Sequence, residues 1–232
     1  MVLVQFLDWL LGIIYPPNCI FCRSVLEYDT SICICKDCFE KLPFFPDMLI
    51  KMEQSKEESY CDFAVSVFEY AGMVRDSLRR YKFYNKPSYY KTYSRLLADR
   101  LRKMTDISLY DVVLSVPLHS ERESSRGYNQ SLLISKAVAK ELKLPECSHA
   151  LRRIKETGAQ SLLGRSGRHE NVRNAFFVKQ PEKVNGKAVL LIDDIFTTGA
   201  TVQECSKSLK RAGARKVTAA VIAAGKTYNR RG

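Results

Sequence analysis

The residues best suited to chemistry in this 232-residue chain cluster at Asp193-Asp194 and Thr197-Thr198-Gly199-Ala200-Thr201. Two adjacent carboxylates accept hydrogen bonds from hydroxyls or share a cation. A Thr/Gly turn feeding a helix does the opposite work. Its free N–H groups and the positive end of the helix dipole favour a phosphate, Gly199 lets the backbone approach that phosphate closely, and the threonine hydroxyls add donors. Acids repel a phosphate, so both features serve one ligand only if it carries hydroxyls and a metal on one side and a phosphate on the other. A ribose 5-phosphate meets that condition, with Asp193 and Asp194 on the 2′ and 3′ hydroxyls and the turn on the 5-phosphate. The plain alternative is a solvated strand end followed by a capped turn.

A second constellation is Cys19-x-x-Cys22 and Cys35-x-x-Cys38. Two such knuckles supply the four thiolates of a closed tetrahedral zinc site. The segment between them is too small to fold on its own apolar burial, so the metal would have to hold it. With four protein ligands no coordination position stays open, which makes the zinc structural. Cys33 competes with Cys35 for one ligand position; the knuckle spacing favours Cys35.

These groups need elements to position them. Ala188 to Ile192 is an apolar run of the kind a doubly covered parallel strand requires, and it places the two acids where the strand leaves the sheet. The helix that follows is expected over Ala200 to Ala212 and stops at Gly213. Asp111 to Pro117 reads as another buried strand, ending in the loop Leu118 to Gly127, which carries Arg122 and Arg126. Further strands are expected over Asp62 to Tyr70, Ala175 to Val178 and Lys216 to Ala223, the last closing the sheet. Helices are expected over Gly72 to about Lys82, Tyr89 to Met104 and Tyr128 to Lys143. Strands alternating with helices make an α/β domain with a mostly parallel sheet. The organisation expected is an N-terminal helix and zinc ribbon over 1–45, a linker over 46–60, and the α/β domain over 61–232.

Composition narrows the partners. The net charge is +12. Residues 1–40 hold Arg23 and Lys36 against Asp8, Glu27, Asp29, Asp37 and Glu40, a net of −3, so the remainder carries +15. That surplus suits polyanions: phosphates first, nucleic acid second. No apolar run is long enough to span a bilayer. Met1 to Tyr15 has helical periodicity through Val4, Leu7, Leu10, Leu11 and Ile14, and packing against its own protein or peripheral membrane contact are its two uses. Without a signal peptide, a cytoplasmic chain is the simplest expectation, and eight cysteines there serve as metal ligands or buried thiols.

The stretch Ala188 to Thr201 resembles the phosphoribosyl pyrophosphate (PRPP) signature of the type I phosphoribosyltransferases at every signature position. The whole chain is similar to the ComF family, which pairs an N-terminal zinc ribbon with a phosphoribosyltransferase domain. The likeness rests on the two knuckles, Leu78 to Phe83, Val116-Pro-Leu-His119, Arg126-Gly-Tyr-Asn-Gln130, Gln160 with Arg165, Asn171 to Phe176, and the PRPP signature. It implies the type I phosphoribosyltransferase fold and a part in DNA uptake during natural competence on the cytosolic side. Single-stranded DNA is the partner it implies, and proteins of the competence machinery are further ones. For the chemistry, Asp193 and Asp194 are the expected catalytic residues, with magnesium shared between an acid and the pyrophosphate. Pro117, Leu118, Arg122 and Arg126 are the expected pyrophosphate loop, and Arg165 and Arg168 belong to a mobile loop that closes over it. Arg79, Arg80 and Lys82, interleaved with Tyr81, Phe83 and Tyr84, are the expected DNA contacts. The alternative is an active phosphoribosyltransferase of nucleotide or amine salvage, amidophosphoribosyltransferase-like, with no direct DNA role.

Overall fold

Alternation along three neighbouring strands explains how the sheet is covered. The computed structural model describes residues 16–27, 30–51, 59–119, 123–124, 127–155 and 172–225. In chain order the elements are α1 (Lys36–Lys41), β1 (Ile50–Lys51), β2 (Phe63–Glu69), α2 (Gly72–Phe83), α3 (Tyr89–Met104), β3 (Val112–Ser115), α4 (Gln130–Leu142), β4 (Leu151–Arg153), β5 (Phe176–Val178), β6 (Ala188–Phe196), α5 (Ala200–Arg211) and β7 (Lys216–Ala224). Five strands form one sheet in the order β1-β2-β7-β6-β3, while β4 and β5 pair separately. All neighbours in the large sheet are parallel except β1, which runs antiparallel to β2. Along β6, Ala188, Leu190 and Ile192 enter one core with α2, α3 and α4. Val189 and Leu191 enter the other, with α5 and the β4–β5 hairpin. Apolar side chains are therefore needed at every position, which is why the strand reads as an unbroken run.

The two crossovers fix where a ligand must sit. The connection from β3 runs through α4, whose Ile134 and Val138 lie in the first core. The connection from β6 runs through α5, whose Val202, Cys205 and Leu209 lie in the second. Adjacent strands β3 and β6 thus send their chains to opposite faces, and a crevice opens beyond their carboxyl ends.

The structure corrects three expectations. β6 does not end at Ile192: Asp193, Ile195 and Phe196 remain paired with Val221, Ala223 and Ala224 of β7. β3 stops at Ser115, opposite Ile192, so the acids stay in the sheet on one side and face the crevice on the other. β7 is not at the margin of the sheet but lies between β2 and β6. The expected linker is sheet at Ile50 and Lys51, which pair with Ala64 and Phe63; upstream, the Phe45 N–H donates to the Val67 carbonyl at 2.8 Å and Glu69 N–H to Pro43 at 2.8 Å. At the far margin Val113 is bonded on its outer side to Pro145 and Cys147, both at 2.9 Å.

Arg100 of α3 holds the 43–51 segment in place. Its guanidinium donates to the Ser66 carbonyl at 3.1 Å and the Phe45 carbonyl at 2.9 Å, and also reaches Pro46 and Asp47. Arg100→Met keeps the apolar stem and removes the guanidinium donor from those carbonyls. At about 1–3 kcal/mol for charge-assisted bonds of this kind, the melting temperature is expected to fall by several degrees in a thermal scan; an unchanged melt would show that the segment is held by Phe45 and Ile50 alone.

Candidate functional site

The acid pair, the threonine turn and the loop after β3 meet in one cleft of about 1060 Å³. Asp193 Oδ1 accepts from Ser131 Oγ in α4 at 2.9 Å and from the Asp194 N–H at 2.9 Å. Burial pushes the Asp193 carboxyl up to about 7; the charge of Asp194 adds to the rise and Lys82 opposes it. Asp194 is buried, and its Oδ1 lies 2.9 Å from Lys82 Nζ at the C-terminal end of α2. Positive charge is thus accepted beside this acid, as a cation-dependent anionic ligand would need.

The turn that follows is pinned at both ends. Gly225 N–H donates to the Phe196 carbonyl at 2.9 Å, and the Gln203 N–H closes α5 on the Gly199 carbonyl at 2.8 Å. Gly199 occupies the N-cap with φ 76°, a left-handed conformation that costs other residues about 1–2 kcal/mol. It offers no side-chain acceptor, and Ala200 N–H reaches only the Thr198 hydroxyl, at 3.4 Å. The first turn of a twelve-residue helix thus borders the cleft with the positive end of its dipole. Thr197, Thr198, Gly199, Ala200 and Thr201 all line it, as do Pro117 and Leu118. Arg122, Arg126, Arg165 and Arg168 lie outside the described residues.

Arg126-Gly-Tyr-Asn-Gln130 acquires a physical meaning in its described part. Gly127 turns with φ 77°. Tyr128 donates its hydroxyl to the Tyr81 carbonyl. Asn129 caps α4, its Oδ1 accepting from Ser131 and Leu132 N–H, and its amide reaches the Val116 carbonyl at 3.4 Å. The motif therefore ties the loop after β3 to α2 and aims Ser131 at Asp193.

The expected DNA contacts do not share one exposed surface. Arg80 donates to the carbonyls of Ile20 and Phe21 at 2.9 and 2.7 Å, and Lys82 is held by Asp194. Only Arg79 of the three is exposed, and it lines the cleft with Lys82. Tyr81 is core, its hydroxyl donating to the Gln130 carbonyl at 2.9 Å, whereas Phe83 and Tyr84 are exposed. Arg153 also lines the cleft, a residue missed in the sequence because its three-residue strand carries no readable period. Its guanidinium lies over the Phe176 ring at 5.6 Å.

The four knuckle cysteines converge in the segment that packs on α2 at Ser77 and Arg80. Their sulfurs all lie within 4.8 Å of one another, with Cys22 and Cys35 at 3.6 Å. A tetrahedron with Zn–S of about 2.3 Å puts sulfurs about 3.8 Å apart, so the cluster fits zinc. Arg23, at φ 73°, closes the first knuckle with its N–H on the Cys19 carbonyl at 2.9 Å. The second is the start of α1, with Cys35 as N-cap and Cys38 in the first turn. The Ser24 hydroxyl and N–H pull the Cys22 thiol down to about 6, toward the thiolate that binds metal. Cys33 lies outside the group; its N–H donates to Thr92 Oγ1 at 3.1 Å and its carbonyl accepts from Ile20 N–H at 2.9 Å, so its backbone fastens the knuckle to α3.

Residues 129–231 match the phosphoribosyl transferase domain family, a span running from the cap of α4 through the acids and the turn to β7. The chain is 30% identical to Competence protein F of Haemophilus influenzae over 205 residues, covering 87% of this chain and 82% of that one. It is 31% identical to Competence protein ComFC of Streptococcus pneumoniae over 226 residues, 86% of this chain and 96% of the relative. To the DNA utilization protein YhgH of Escherichia coli K12 it is 34% identical over 156 residues, 66% of this chain and 68% of that one. Among the described residues no helix is long and apolar enough to cross a membrane. A four-cysteine module fastened to a mostly parallel sheet, and a type I phosphoribosyltransferase domain whose acids and threonine turn share one cleft, together with these relatives, establish that the chain belongs to the ComF family of competence proteins.

Proposed function

We propose that the cleft binds PRPP with magnesium and that the protein serves DNA uptake during natural competence, contacting single-stranded DNA in the cytosol. The observation that carries the first part is the pairing, across one cleft, of Asp193 and Asp194 with the glycine-capped N-terminus of α5. The acids accept from the ribose hydroxyls, the turn donates to the 5-phosphate, and the loop at Pro117 and Leu118 faces the pyrophosphate. Magnesium, held by Asp193 or Asp194 together with the ligand's own oxygens, would neutralise charge on the pyrophosphate. The names of the relatives support the second part. Arg79 with the exposed rings of Phe83 and Tyr84 is the surface offered to a single strand, by phosphate contact beside base stacking.

A second reading, turnover of PRPP with an amine or amide acceptor, is favoured by one feature. Asp193, held at about 7 by burial, is matched to proton transfer near neutral pH. Positioning and charge stabilisation on the leaving group would then supply the rate.

Titration calorimetry with PRPP and magnesium is expected to give one site per chain, with pyrophosphate release separating binding from turnover. Absence of heat would overturn the PRPP reading. Anisotropy of a labelled oligonucleotide is expected to give an affinity falling with salt at a log–log slope of about −0.7 per phosphate contacted. Arg79→Ala should flatten that slope; if it does not, this surface is not the DNA contact.

A further inference from the structure

Among the described residues of the cleft, Lys82 is a cation paired with an acid of the phosphoribosyl signature. Its Nζ is 2.9 Å from Asp194 Oδ1, and both side chains are largely sheltered. The backbone that carries it is held from three directions. Arg80 is bonded to the Ile20 and Phe21 carbonyls, the Tyr81 carbonyl receives the Tyr128 hydroxyl, and the Tyr81 hydroxyl donates to the Gln130 carbonyl. The helix end is therefore fixed, while the lysine stem is free to swing its point charge between nearby partners.

Ligand entry creates a partner problem for this ion pair. If ribose hydroxyls donate to Asp194, the ammonium loses its acid, and a sheltered charge without a partner is costly. A ligand that brings a diphosphate next to its diol repairs this, because the ammonium exchanges one charge-assisted bond for another. A ligand with the diol alone leaves the ammonium stranded.

We propose that Lys82 is a specificity-determining residue of the cleft, clasping Asp194 until a ribose diol replaces it there and then engaging the pyrophosphate, so that the cleft reads diol and pyrophosphate together. This rests on the PRPP reading above and names what distinguishes PRPP from ribose 5-phosphate. It reassigns Lys82 from a DNA contact to the interior of the cleft.

The test is calorimetric titration of wild type, Lys82→Met and Lys82→Arg with each of PRPP–magnesium and ribose 5-phosphate. In Lys82→Met the PRPP affinity is expected to fall about tenfold to a hundredfold, as for the loss of a hydrogen bond to a charged group. Ribose 5-phosphate should bind as well as before or better, and Lys82→Arg should keep most of the wild-type preference. If Lys82→Met weakens both ligands equally, or neither, while wild type binds PRPP, Lys82 is a structural residue and the proposal is overturned with the PRPP reading intact. If wild type binds neither ligand, both fall. Should Lys82→Met not fold, the wild-type protein with its lysines labelled as ¹³C-dimethylamines gives the same answer by NMR. The Lys82 signal, identified by its loss in Lys82→Arg, is expected to shift with PRPP–magnesium and differently with ribose 5-phosphate; identical shifts would overturn the proposal.

Discussion

Stripping zinc with a strong chelator, or replacing Cys38 by serine, is expected to lower the melting temperature by more than about 10 °C and to open residues 16–45 to protease. Structural zinc contributes about 10–16 kcal/mol to the folding of small modules, and this module is not a detachable one. Cys19, Ile20, Phe21, Cys38 and Leu42 belong to the same apolar core as Phe68, Leu78, Tyr81 and Tyr93. The Phe21 and Phe68 rings meet edge to face at 6.0 Å. Losing the knuckle removes the carbonyl of Ile20 from Ser77 and Arg80 and that of Phe21 from Arg80, leaving buried donors of α2 without acceptors. The damage should therefore reach the large sheet. Metal analysis is expected to give one zinc per chain; substoichiometric metal with an undiminished melt would refute the assignment.

Asp193→Asn is expected to make the protein more stable above neutral pH and to abolish PRPP binding. The ordinary carboxyl value is 3.8, and in the fold Asp193 is raised to about 7. Between those values the folded chain holds a proton that the unfolded chain has released, so this group's contribution is most favourable below about pH 4 and is lost as pH rises through about 7. Asparagine retains the Oδ1 that accepts from Ser131 and the Asp194 N–H and removes the buried charge beside Asp194. A gain of about 2–4 kcal/mol at pH 8 follows from a shift of this size, shrinking to almost nothing near pH 4. Melting curves of both proteins at pH 4 and pH 8 check the sign. Equal melting at pH 8 would show the carboxylate is not under strain, and retained PRPP affinity would remove Asp193 from the site. Asp194→Asn should lose PRPP as well, without the gain in stability, because it leaves the Lys82 ammonium unpaired.

What was legible in the sequence was what is contiguous or strictly spaced. The acids and the turn occupy nine successive residues, and the cysteines keep the knuckle interval, so both constellations could be read before any fold was known. Pairing between distant segments could not. β1 and β4 are two and three residues long, too short for a period, and exist because Ala64, Phe63 and Phe177 offer partners from elsewhere in the chain. The end of β6 was hidden because two carboxylates normally mark solvent, and only the longer neighbour β7 keeps them in the ladder. The basic residues of α2 misled for a helical reason. Arg80 and Lys82 lie two positions apart, on different sides of the helix, so neighbours in the text take different partners, the knuckle carbonyls for one and Asp194 for the other.

The two margins of the sheet bear on how a partner can take hold. One is occupied by a two-residue strand, the other by the stretch that carries Pro145 and Cys147. Among the described residues, neither offers a long row of free amides of the kind that lets an extended peptide add itself as another strand. On the described residues, strand addition is disfavoured at both rims of the large sheet, and a protein docking there would grip side chains on helices and loops.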